Sequence, residues 1–88
     1  MSINTADLKK KIIYRSNYRG TKEMDKLLGS FTKKYINDLN DIELSYLNDM
    51  LSIDDGVLYK FNQDKKRADI IKFNRVTELF KNFIYKKE

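Results

Sequence analysis

Apolar residues along this chain recur mostly at intervals of three and four, the spacing of one helix face. Leu8, Ile12 and Ile13 open the pattern, with Thr5 as the expected N-cap of a first helix that ends between Ser16 and Gly20. Ser, Asn and Gly favour turns over helix interiors, which places that end. Met24, Leu27, Leu28, Phe31 and Tyr35 follow at offsets of 0, 3, 4, 7 and 11, the strongest helical stripe of the chain. That second helix starts at Gly20 or Thr21 and closes over residues 37–40. Asn40 and Glu43 have capping-box spacing and predict a third helix over about residues 41–51, burying Leu44, Leu47 and Leu51 with Met50 on its flank. Asp54-Asp55-Gly56 predicts a short fourth helix carrying Val57, Leu58 and Phe61. A turn over 62–66 leads into a long fifth helix, about residues 68–85, with Ile70, Phe73, Val76, Phe80 and Phe83 on one seam. Strand-type alternation is absent and no Pro interrupts the chain. The pattern therefore predicts an all-α single domain over residues 1–88, a compact bundle of five helices with antiparallel neighbours.

Composition narrows the chemistry. With no Cys and no His among 88 residues there is no disulfide framework, no ordinary transition-metal site and no Ser–His or Cys–His nucleophile. Only carboxylates, Lys and Tyr remain for acid–base work, so the chain is not expected to be an enzyme. No apolar run approaches the roughly 20 residues of a membrane span, and no apolar segment of a secretory signal follows the N-terminal lysines. The net charge of +5 is segregated: residues 1–35 carry +6, residues 36–64 carry −6 and residues 65–88 carry +5. Such a distribution orients a molecule on a partner with a patterned surface. Lys9-Lys10-Lys11 and Lys65-Lys66-Arg67 read as solvated faces, and Asp54-Asp55 as helix capping. Phosphate-cradling loops and paired catalytic carboxylates are not found.

The candidate site is the stretch from Tyr14 to Phe31, where Arg19, Gly20 and Glu23 fall within five positions between two helices. With Gly20 as N-cap, Glu23 stands at N3, where its carboxylate accepts the cap amide and complements the helix dipole, and Arg19 is a solvated loop charge. The functional alternative needs Gly20 for close approach of a partner backbone, with Arg19 and Glu23 displayed as charged hydrogen-bonding groups. Tyr14, Arg15 and Tyr18 surround this edge, and aromatic and Arg clusters are typical of binding hot spots. Tyr14 also reads as a half-buried residue of the first helix with its hydroxyl in water.

Arg19-Gly20-x-x-Glu23, with Tyr-Arg-Ser before it and Glu-Met-Asp-x-x-Leu-Gly-x-Phe after it, resembles the RGxxE signature of the bacterial FAD assembly factors and mitochondrial succinate dehydrogenase assembly factor 2. The resemblance covers nearly the whole chain. Where that family has Asp-Pro-Asp-Leu-aromatic-x-Trp, this chain has Asp55-Gly56-Val57-Leu58-Tyr59-Lys60-Phe61. Gly56, Val57 and Phe61 depart from the pattern, and Gly56 loosens the helix entry that Pro would pre-set.

The resemblance implies a five-helix assembly chaperone that binds the flavoprotein subunit of succinate dehydrogenase, and sometimes fumarate reductase, and promotes covalent attachment of FAD to a histidine. This chain has no histidine, so the acceptor and the FAD belong to the client, and no cofactor is expected to be held stably here. The implied partner-binding residues are Arg19, Gly20 and Glu23, with Arg15, Tyr14, Tyr18, Asp25 and Tyr59 around them. Direct acid–base participation by Glu23 ranks second, because a helix N-terminus favours its ionised form. The motif begins by residue 19, which leaves no room for a removable presequence, so a bacterial cytoplasmic protein is expected, monomeric when free. A basic helical nucleic-acid-binding module is the competing class, using Lys and Arg on phosphate and Tyr for stacking. Against it stand thirteen acids and no helix that combines basic residues with groove-reading side chains. A purely structural interaction module is the third class.

Overall fold

The computed structural model describes residues 4–85. Among them the chain is all-α, with α1 over Thr5–Asn17, α2 over Lys22–Tyr35, α3 over Asp41–Met50, α4 over Asp55–Asp64 and α5 over Arg75–Lys81. Local chemistry sets the starts. Asn4, not Thr5, caps α1 by accepting from the Ala6 amide at 2.8 Å. Thr21, not Gly20, caps α2 through the Met24 amide. The capping box at α3 forms as its spacing predicts: the Glu43 amide donates to Asn40 Oδ1 at 2.8 Å and the Asn40 amide to Glu43 Oε1 at 3.0 Å. Asp54 caps α4.

One apolar core joins all five helices. The α2 stripe lies inward, with Leu28 and Phe31 fully buried, and α1 packs on α2 and α3 while α5 packs on α3 and α4. Phe31 meets Phe80 edge-on at 5.2 Å between ring centroids and Phe83 at 5.4 Å, so an aromatic cluster ties α2 to the end of the chain. Buried polar groups are paired. Ser16 Oγ donates to the Ile12 carbonyl at 2.7 Å, which leaves Thr32 as donor in the 2.6 Å bond between their hydroxyls. Gly29 faces this same α1–α2 contact, where a Cβ would overlap the Asn17 side chain.

The fifth helix differs most from its expectation. It is seven residues long, and Ile70 and Phe73, read as core, are 63% and 77% exposed. Asn74 is the reason. Its backbone is extended, its side chain caps the Thr77 amide at 2.9 Å, and Thr77 Oγ1 accepts the Asn74 amide at 3.1 Å. Arg67 holds the preceding turn by donating to the carbonyls of Ile71 and Lys72 and to Glu78 at 2.9 Å, with its guanidinium over the rings of Phe61 and Phe73, 5.0 and 4.8 Å from their centroids. At the far end Asn62 Nδ2 donates to the carbonyls of Phe80 and Phe83, closing α5 from α4. Val76 and Phe80 are core as expected, and Phe83 is half-buried.

Candidate functional site

The corner between α1 and α2 holds the Arg-Gly-x-x-Glu residues, and its bonding begins with Gly20. Its φ of +112° is a conformation that L side chains rarely adopt, and the space beside its Cα is open. The turn exposes Gly20 and sends the flanking side chains in opposite senses. Arg19 goes inward. Its side chain is 10% exposed, with Nη1 donating to the Leu51 carbonyl at 2.6 Å and Nη2 to the Ile53 carbonyl at 3.1 Å. Nε and Nη2 both reach Asp55 Oδ1, at 2.9 and 2.7 Å. The Arg19 amide donates to the Asp25 carboxylate. Arg19 is therefore neither a solvated loop charge nor a displayed one; it clamps the corner to the α3–α4 connection.

Glu23 goes outward. With Thr21 as cap it stands at N2, not N3, so its carboxylate is not spent on a capping box. It lies exposed beside the Tyr59 hydroxyl, where its charge pushes the phenol pKa up. Arg19 and Glu23 are four residues apart, as are Asp55 and Tyr59, and each member of one pair faces its counterpart in the other. The two motifs interlock as two rungs.

Arg15 makes a second clamp, donating to Asn48 Oδ1 at 2.8 Å, the Asn48 carbonyl at 3.2 Å and Ser52 Oγ at 2.8 Å. Tyr14 and Tyr18 stay outside at 65% and 70% exposure, with their ring centroids 4.7 Å apart. Tyr14 is thus not the half-buried residue that its helix position suggests. Two aromatic rings held against each other in water are an unrelieved apolar surface of the kind that binding hot spots offer.

The sequence reading missed a cleft of about 600 Å³ beside Glu23 and Tyr59, between the first turns of α2, the second half of α4 and residues 83–85. Its one legible signal is Lys22 and Lys26, two cations on one face of α2. Arg67 and Arg75 pair with Glu78 and Glu43, so with Arg15 and Arg19 all four arginines of the chain bond internally. Among the described residues no group of three or more acidic residues could hold a metal ion, and no helix is long and apolar enough to cross a membrane.

A small helical domain with an internally braced corner, an exposed aromatic pair and an exposed carboxylate has the features of a protein-binding module. Comparison with protein families gives a sharper result: the model of the family described as flavinator of succinate dehydrogenase matches residues 10–84, and the chain belongs to that family. Its role is accordingly that of an assembly factor in succinate dehydrogenase flavinylation. Comparisons with curated proteins and with solved structures gave no match.

Proposed function

We propose that this chain acts as a chaperone that binds the flavoprotein subunit of succinate dehydrogenase at the α1–α2 corner and promotes covalent attachment of FAD to it. The observation that carries the reading is the split at Gly20: an open glycine edge and the exposed Glu23 carboxylate face outward, while Arg19 is locked beneath them. Contact with the client is made by Gly20, Glu23, Tyr14 and Tyr18. Arg19, Arg15 and Asp25 hold that surface in place, and Tyr59 sits against Glu23. The open space at Gly20 admits a backbone that any Cβ would push away, and Glu23 offers an acceptor that strengthens when an interface excludes water.

Binding energy is then used to hold the client in an attachment-competent arrangement, a population shift that requires tighter binding to that arrangement than to others. FAD and its histidine acceptor are the client's, since this chain has no histidine. The direct test is capture of a purified, unflavinylated succinate dehydrogenase flavoprotein subunit by the immobilised chain. Specific capture that Glu23→Ala abolishes supports the reading; no capture by the wild-type chain refutes it.

A further inference from the structure

The cleft beside Glu23 has an uneven charge distribution. Lys22 and Lys26 stand one helical turn apart at its rim, both exposed. Like charges at this spacing repel, and cations are disfavoured at the start of a helix. Glu23, three residues before Lys26, could relieve it, but its carboxylate faces Tyr59 instead. Among the described residues the ion pairs are Arg19–Asp55, Arg67–Glu78 and Arg75–Glu43, and neither lysine takes part in one. Lys65, also in the cleft, donates to the carbonyls of Asn62 and Lys81 and is committed to the fold. Beneath the rim the surface turns apolar, with Leu27 and Phe83. Two local preferences are broken side by side at a concave surface, and such departures concentrate at functional sites.

We propose that this cleft is a docking site for an acidic segment of a partner polypeptide, with an apolar side chain on the Leu27–Phe83 floor and flanking carboxylates on Lys22 and Lys26. About 600 Å³ lies within the range of ligand sites, roughly 300–1,000 Å³. The rim charges are compact ammonium groups on flexible stems, suited to carboxylates spread along a chain; they lack the planar fork that grips phosphate in two places. The proposal rests on the client reading only for the partner's identity, which would be the flavoprotein.

The test is selection of a random peptide library on the full chain, without any client present. Wild type enriches peptides in which Asp or Glu flanks an aromatic or aliphatic residue. Lys22→Glu/Lys26→Glu, which suits the start of a helix and keeps the fold, binds those peptides at least about tenfold more weakly and enriches basic ones instead. Gln63→Trp, which fills the cleft, weakens them by a similar factor while leaving the melting curve in place. Inorganic phosphate does not displace them. Enrichment without carboxylates, equal binding by the charge-reversed chain, or displacement by phosphate overturns the proposal. Capture of the flavoprotein subunit by wild type is read separately. Its failure defeats the client reading and leaves the peptide result standing, and the reverse outcome defeats the cleft alone.

Discussion

Replacing Arg19 by Ala should destabilise the protein far more than a surface arginine would. The guanidinium is 10% exposed and serves the carbonyls of Leu51 and Ile53, which belong to residues 2% and 9% exposed, together with a carboxylate that is 29% exposed. Hydrogen bonds to charged groups contribute about 1.5–3 kcal/mol, and removing one partner of a buried pair costs about 3–5 kcal/mol. Water partly screens Asp55 and can reach its vacated oxygen, so the expected loss is about 2–4 kcal/mol. A domain of this size has roughly 4–13 kcal/mol in total. At about 4–8 °C per kcal/mol, the melting temperature should fall by roughly 8–32 °C. Arg19→Lys keeps the charge but cannot serve Leu51, Ile53 and Asp55 together, and should recover less than half of the loss. Urea unfolding followed by circular dichroism measures each value. If Arg19→Ala falls within about 0.5 kcal/mol of wild type, as exposed substitutions usually do, the clamp is not a stabilising contact and the account of the corner is wrong.

Gly20→Ala should cost about 1–2 kcal/mol from backbone strain alone, because φ is +112° and no neighbour opposes the added methyl; an unchanged urea midpoint would show that the turn relaxes. Arg75 and the Asn40 amide hold the Glu43 carboxyl below its ordinary value of 4.5. A depressed folded pKa contributes stability above the unfolded value and loses it as pH falls through the folded one. The stability gap between wild type and Glu43→Gln should therefore be present at neutral pH and close below about pH 4.5, and a gap independent of pH would contradict the pairing. Free FAD should bind weakly or not at all, with flavin fluorescence nearly flat on titration. Binding in the low micromolar range (about −8 kcal/mol) would make the chain a flavin carrier.

Much of the fold was legible because its signals are local. The α2 stripe spans three turns, long enough for helical spacing to exceed coincidence, and the Asn40–Glu43 box needs only residues three apart. The α5 expectation failed for a related reason. Ile70 and Phe73 extend the spacing of Val76 and Phe80, yet Asn74 between them stops the helix, and Arg67 pins the turn through contacts that periodicity does not encode. At the site, the residues of the corner could be named from their order, but their directions could not. Arg19 turns inward because carbonyls and a carboxylate from residues 51–55 await it, more than thirty positions along the chain. Thr21 displaced Gly20 as cap, which freed Glu23, and the Tyr14–Tyr18 pair stays in water because no element of the described chain covers it.

Covalent flavin on the client is the most direct measure of the central claim. Glu23→Ala, Arg19→Ala and the exposed control Lys33→Ala are each co-expressed with a succinate dehydrogenase flavoprotein subunit, and in-gel flavin fluorescence is read beside a melting curve of each chain. Glu23 is exposed and bonds to no cap, so Glu23→Ala should melt within about 0.5 kcal/mol of wild type. It should nonetheless lose covalent flavin, Lys33→Ala should keep it, and Arg19→Ala should lose it together with stability. A normally folded Glu23→Ala chain that supports full covalent flavin would contradict the claim that this corner is where the client is held.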